Sequence, residues 1–308
     1  LPAPIIVFAY KRADHLAEVL AALAANEGAN RSELFIFCDG AKSAKDKADV
    51  LAARSVAHGA SGFLKISVIE QKENRGLSAS ILAGVGEICD RYGHAIVLED
   101  DVVPTPYFLG YTNAALDRYK DNEHVFSVGC HTFDAGLDLP ETFFLNVPDC
   151  WGWAIWQRSW TTFNPDGSRL LSEILKRKEA SHFDFDGVYP YTTMLKDQVA
   201  GRNQSWAVRL YAHAFLTGKL VLYPKLSVTS NIGFDGTGTH GGANGYTPPR
   251  LTNSPISVLP ITVEESAIAR QAWKAALRVP PRPGLLRRLS AKTGRITRAI
   301  SHRMQDRS

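Results

Sequence analysis

The carboxylates of this 308-residue chain gather at one point, where the apolar run Ala95-Ile96-Val97-Leu98 discharges Glu99, Asp100 and Asp101 in succession. Three adjacent like charges repel unless a cation compensates them. A hard divalent ion bridging carboxylate oxygen to diphosphate oxygen is the usual solution, and Mn2+ or Mg2+ suits such ligands. A second carboxylate, Asp39, also ends an apolar run; there it can accept hydrogen bonds from a base or ribose, or cap the helix that follows. Arg12 and Arg75 carry planar guanidinium groups suited to bidentate pairing with a diphosphate. Trp151, Trp153 and Trp156 suit either a platform for a sugar ring or plain core packing. Of these, Trp151 with Gly152 is the pair expected at a site, since a glycine beside a tryptophan permits close ligand approach. His240 lies in a glycine-rich stretch, residues 232–245. Such a backbone can fold over a bound phosphate, with the imidazole binding metal or donating to the diphosphate.

An acidic triplet is ordinarily a solvated turn, so the elements that carry it decide its meaning. Ile5 to Phe8 reads as a buried strand, followed by apolar residues at Leu16, Val19, Leu20 and Leu23 that predict an amphipathic helix. Leu34 to Cys38 is the next strand, stopped by Asp39-Gly40, and a lysine-rich helix to about Ala57 precedes a third strand, Lys65 to Glu70. Asn74-Arg75-Gly76 opens another helix to about Tyr92, and His94 to Leu98 is the fourth strand. Four strand-then-helix units predict an α/β fold with a mostly parallel sheet and helices on both faces. Ligands of such sheets bind outside the carboxyl ends of the strands. Each strand here ends in groups able to handle a nucleotide: Tyr10 and Arg12, then Asp39, then Asn74 and Arg75, then Glu99, Asp100 and Asp101. Neither G-x-G-x-x-G after the first strand nor G-x-x-x-x-G-K-[ST] is present.

The second half, from about Val103, is richer in aromatics and turns. Strands are expected at Phe126 to Gly129, Phe143 to Val147 and Leu220 to Tyr223, with a helix from Trp206 to Thr217 ended by Gly218. No internal repeat is evident. Residues 1–260 are expected to form one domain in two halves, 1–102 and 103–260, the second an elaboration on the first, followed by a helical, basic segment over 261–308.

Composition excludes disordered, collagenous and coiled-coil classes: 45% of residues are hydrophobic, 21% charged and 10% aromatic. The four cysteines are widely spaced, which suggests neither a zinc knuckle nor a disulfide framework and makes a reducing, cytoplasmic setting the expectation. No window approaches the length of a membrane span, and the opening residue, Leu1, raises the expectation of a piece cut from a longer protein. The net charge of +4 is unevenly placed, because eight basic side chains lie in residues 282–308 against the single acid Asp306. The remainder is slightly acidic, so a nucleic-acid partner is not expected. Within that tail Leu285, Leu289, Ile296 and Ile300 recur at helical spacing among arginines, a pattern suited to an anionic membrane surface or to a terminal helix packed on a partner.

Several blocks, in order, resemble the GT-A fold glycosyltransferases: Ile5 to Arg12, Phe37-Cys38-Asp39, Asn74-Arg75-Gly76-Leu77 and, above all, Val97 to Phe108. The resemblance points to the branch containing N-acetylglucosaminyltransferase I and bacterial surface-polysaccharide sugar transferases. It continues through Cys150 to Ala154, Ser205 to Arg209, Tyr223-Pro224-Lys225 and Asn231 to His240, covering about residues 4–242. It implies a GT-A, Rossmann-like sheet with a C-terminal acceptor-side elaboration. The implied activity is metal-dependent, inverting transfer of a sugar from a nucleoside diphosphate donor, UDP first, to a hydroxyl of a glycan or lipid-linked acceptor. By the same resemblance Arg12 and Asp39 contact the nucleotide, Glu99 and Asp100 lie near base, ribose or donor sugar, and Asp101 ligates Mn2+ or Mg2+. The tail would then rest on the inner face of the membrane, where lipid-linked acceptors lie. Inverting relatives carry an acid just before the helix that here starts near Trp206, but this chain has Asn203-Gln204-Ser205 there. Glutamine cannot act as a general base, so Asp197 is the first expectation for that role and Asp235 the second.

Two other readings stand beside this one. A sugar-phosphate nucleotidyltransferase needs a glycine-rich basic loop after the first strand, which Phe8-Ala9-Tyr10-Lys11-Arg12 is not. A non-catalytic carbohydrate-binding protein on a decayed transferase fold is the alternative that Gln204 suggests.

Overall fold

The computed structural model describes residues 1–133, 136–236 and 248–278. In chain order its elements begin with β1 (Ile5–Ala9), α1 (Ala13–Ala24), β2 (Glu33–Cys38), α2 (Lys47–His58), β3 (Lys65–Glu70), α3 (Leu77–Tyr92) and β4 (His94–Glu99). They continue with β5 (Val102–Pro104), α4 (Phe108–Arg118), β6 (Val125–Gly129), β7 (Thr142–Leu145), β8 (Trp153–Trp156), α5 (Gln157–Trp160) and α6 (Gly167–Lys176). The remainder are α7 (Ala180–Phe183), α8 (Tyr191–Val199), α9 (Ala207–Thr217), β9 (Leu220–Pro224), β10 (Thr229–Asn231) and α10 (Ala267–Leu277). No described helix is long and apolar enough to cross a membrane.

The eight-stranded central sheet has the order β3-β2-β1-β4-β8-β6-β9-β7. Only β8 and β7 run against the rest, so the sheet is mostly parallel, as the strand-then-helix pattern predicts. The inner strands β1 and β2 are continuous apolar runs because both of their faces are covered. Alternate side chains feed opposite layers. Ile5, Val7, Leu34, Ile36, Ile96 and Leu98 pack with the Leu16–Leu23 stripe of α1 and with α2 and α4. Ile6, Phe8, Phe35, Phe37 and Val97 meet Ile81, Val85 and Ile88 of α3, and Trp206 and Leu210 at the start of α9. Full burial of each aliphatic side chain contributes roughly 1.5–3 kcal/mol, and both layers hold many of them.

From β1 the chain steps to β2 on one side, while α3, on the opposite face, returns it to β4 on the other side. The crevice between the carboxyl ends of β1 and β4 is therefore the topological switch point of the sheet. Three features of the second half lie beyond what its sequence pattern indicates. The strand β8 starts only at Trp153 and inserts antiparallel between β4 and β6. A two-stranded ribbon pairs β5 with β10. A third core cluster joins β7 and β9 to α6–α9, and α10 contributes Ala269, Ala272 and Trp273 to it. The basic stretch after residue 278, with the proposed membrane-facing arginines, lies outside the described residues.

Candidate functional site

At the β1/β4 crevice, Arg12 follows β1 and the acidic residues follow β4. The Arg12 guanidinium lies between two carboxylates, in hydrogen-bonded contact with Asp100 Oδ1 and 2.8 Å from Asp101 Oδ2. Asp100 is 4% exposed and Asp101 9%, so these charges have little water to answer them and depend on one another. Burial pushes the Asp100 carboxyl up despite Arg12, while the charges of Asp100 and Asp101 outweigh burial and hold the Arg12 guanidinium above its ordinary value. Asp100 Oδ2 also accepts from the Tyr10 backbone N–H at 3.1 Å, which fixes the end of β1 against the end of β4. The Tyr10 hydroxyl in turn accepts from Lys42 N–H at 3.0 Å, drawing in the loop after β2.

Two buried polar atoms here lack any hydrogen-bond partner: Asp101 Oδ1 and Arg12 Nη1. A buried carboxylate oxygen without a partner is costly, and it is the atom a hard cation would satisfy. No group of three His, Cys, Asp or Glu able to hold a metal occurs among the described residues. Asp101 Oδ1 could thus offer one oxygen ligand to a hard ion such as Mg2+ or Mn2+, whose remaining ligands would have to come from outside the described side chains. The segment after β10 crosses directly above. Ile232 N–H donates to the Asp101 carbonyl at 2.9 Å, and a Cβ on Gly233 would sit 2.2 Å from Asp101 Oδ2 and 3.0 Å from Arg12 Nη1. Only a residue without a side chain lets the backbone lie this close to the carboxylates.

Glu99 is half-buried, and burial, followed by the charges of Asp101 and Asp100, pushes it up to about 8. Asp39 is braced by the chain itself. Its Oδ1 accepts from the Gly40 and Arg75 N–H groups, each at 2.8 Å, and its Oδ2 from Gly76 N–H at 2.9 Å and Asn74 Nδ2 at 3.0 Å. Three of these donors, from Asn74, Arg75 and Gly76, tie the turn leading into α3 to the end of β2, so Asp39 braces that turn rather than capping the helix that follows it in sequence. Through that brace it presents the exposed Arg75 at the sheet edge.

Trp151 stands edge-on to His131, Phe133 and Phe234, with centroids 4.7, 6.2 and 5.5 Å apart, and so anchors the 232–236 segment to the body. Gly152 has φ +83°, and a Cβ there would fall 2.7 Å from Thr229 Cγ2 with Cys130 and Phe108 behind it. Its glycine is explained by backbone conformation and packing, not by ligand approach. Trp153 and Trp156 are core residues on opposite faces of the sheet. Asp235, in the same segment as Gly233, lies 3.2 Å from His15 Nε2 of α1. Asp197 binds Arg202 at 2.5 Å and accepts from Arg202 N–H through its carbonyl, which orders the connection from α8 to α9. Gln204 Oε1 is 3.7 Å from the Cβ position of Gly76, at the N-terminus of α3. His240 lies outside the described residues.

One ionisable residue of this edge has no part in the sequence reading. Asp149 is half-buried at the approach to β8, its Oδ2 accepting from Trp151 N–H at 3.2 Å. Burial pushes its carboxyl up to about 7, against the opposing hydrogen bonds from Trp151 and Cys150. The only local signal is its place one residue before the Cys150-Trp151-Gly152 block, because its proximity to Glu99 depends on strand pairing.

No protein-family model and no curated protein matches the chain. Among solved structures it is similar to TarS of S. aureus, with a TM-score of 0.30 and 14% identity over 46% of this chain and 23% of that one. It is also similar to the mannosyltransferase PcManGT from Pyrobaculum calidifontis in complex with GDP-Man and Mn2+, with a TM-score of 0.39 and 12% identity over 70% of this chain and 72% of that one. The matched part thus spans about a quarter of TarS, and at these TM-scores the reading of the site rests on its own residues.

Proposed function

We propose that the protein is a glycosyltransferase that moves a sugar from a nucleoside diphosphate donor, UDP first, to a hydroxyl of a glycan or lipid-linked acceptor, with inversion. The observation that carries this reading is the buried Arg12–Asp100–Asp101 cluster at the β1/β4 switch point, with Asp101 Oδ1 unpartnered beneath the Gly233 backbone. Asp101 would hold a divalent ion there, which supplies charge neutralisation for the departing diphosphate. Arg12 orients the two aspartates and offers Nη1 as a donor toward the crevice. Arg75, presented by the Asp39 brace, pairs with phosphate oxygen from the other side. The 232–236 segment, held by Trp151 through Phe234, excludes water from above. The basic C-terminal tail would bring the enzyme to an anionic membrane surface and its lipid-linked acceptors.

A thermal-shift screen of UDP, GDP, CMP, TDP and their sugars, with and without Mn2+, tests the reading on wild type and Asp101→Ala. The expected result is a metal-dependent rise in Tm with one nucleotide, lost in the variant. Absence of a shift with every nucleotide would overturn the transferase reading.

A further inference from the structure

Resting on that transferase reading, the geometry points to Asp149 as the catalytic base that takes the proton from the acceptor hydroxyl. β4 and β8 pair antiparallel, ending at Val97↔Trp153. Beyond that pair Gly152 turns the chain with φ +83°, and the segment before it stays beside the acidic edge: Cys150 is in electrostatic contact with Glu99 and Asp101, and Asp149 with Glu99. Asp149 thus stands next to the carboxylates at the end of β4, brought there by the segment leading into β8.

The surroundings of Asp149 suit a base. Groups in electrostatic contact with it are Glu99 of β4, Cys130 after β6, Cys150, Tyr191 of α8 and Tyr223 of β9. None of these is a cation, and no ion pair to Asp149 occurs among the described residues, whereas Asp197 is paired with Arg202 and Asp235 with His15. Burial places its carboxyl at about 7, where a general base combines a useful deprotonated fraction with affinity for a proton. The Trp151 N–H binds Oδ2, and with the hydrogen bond from Cys150 it holds the carboxyl in place. The step balances: the acceptor oxygen bonds to the anomeric carbon as its proton passes to Asp149, and the bond from that carbon to the diphosphate oxygen breaks with its electron pair leaving on the diphosphate.

Water serves as the acceptor in the test, using the full chain, the nucleotide sugar that wild type binds in the thermal-shift screen, and Mn2+. Asp149→Asn keeps an oxygen for Trp151 N–H and is expected to bind the donor as wild type does. Its donor hydrolysis should fall about 10²–10⁴-fold, with loss of the decline that wild type shows below pH about 7. Hydrolysis within threefold of wild type, or an unchanged pH profile, would overturn the assignment while leaving the transferase reading standing; so would an intact Asp149→Asn beside an inactive Asp197→Asn or Asp235→Asn. If wild type hydrolyses no donor, the amide ¹⁵N shift of Trp151 decides, since it is expected to titrate near pH 7, and a midpoint below pH 5 would overturn the assignment. Failure of wild type to bind any nucleotide sugar would remove both readings together.

Discussion

Replacing Arg12 by Met isolates the ion cluster, because methionine keeps much of the arginine stem's volume while deleting the charge. Arg12 is the described cation in contact with both Asp100 and Asp101, which are 4% and 9% exposed. Removing one partner of a buried ion pair typically costs about 3–5 kcal/mol, because the remaining charge stays desolvated and unanswered. Arg12 is itself desolvated and leaves Nη1 unpartnered, so its removal recovers part of that cost and the lower end is expected. In a body of this size each kcal/mol moves Tm by about 2–4 °C, which gives a fall of about 6–12 °C for a loss of about 3 kcal/mol. Thermal or urea melts in EDTA would measure it. Two companions identify the cause. Adding Asp100→Asn should restore at least about 1 kcal/mol, since one of the stranded charges is then gone, and Mn2+ should raise the Tm of the variant more than that of wild type. A loss below about 1 kcal/mol, or a double variant no more stable than Arg12→Met, would refute the reasoning that the guanidinium neutralises this cluster.

The remaining predictions concern the scaffold around the cluster. Gly152→Ala should destabilise by about 2–5 kcal/mol, from the left-handed φ and the contact with Thr229; denaturant melts check it, and Thr229→Ser should relieve part of the loss. Asp39→Asn places an amide donor against backbone N–H groups and should cost about 1–3 kcal/mol, read locally as faster hydrogen exchange at Arg75 and Gly76. His131 is buried and pushed down to about 3 by desolvation, so the unfolded chain takes up a proton below pH 6.5 that the folded protein refuses. The stability linked to His131 is present above pH 6.5 and lost as pH falls toward 3, amounting to about 2 kcal/mol between pH 7 and 5. Asp149, raised to about 7, contributes the opposite slope as its stabilisation fades with rising pH, but it does so in wild type and variant alike. Comparing His131→Gln with wild type by melts at the two pH values therefore isolates the histidine, and equal slopes would count against its burial in the neutral form.

The sequence alone determined the first half of the molecule. Apolar runs closed by Asp39-Gly40, by Asn74-Arg75-Gly76 and by Glu99-Asp100-Asp101 specify strands and their polar endings, because each signal is local to a few residues. The strand-ending rule for parallel sheets then collects Tyr10, Arg12, Asp100 and Asp101 on one edge before any contact is known. What the sequence could not determine is which atom each polar group meets. Asp39 reads equally as a ligand or a cap until its four donors are seen to come from Gly40 and from Asn74 to Gly76. Gly152 resembles a ligand approach until its missing Cβ is found facing Thr229. Asp149 carries no local signal beyond its place before the Cys150-Trp151-Gly152 block, because its position beside the acidic edge depends on β8 inserting antiparallel between β4 and β6. The β4–β8 pairing joins residues more than fifty positions apart, and only the packed tertiary structure selects its register.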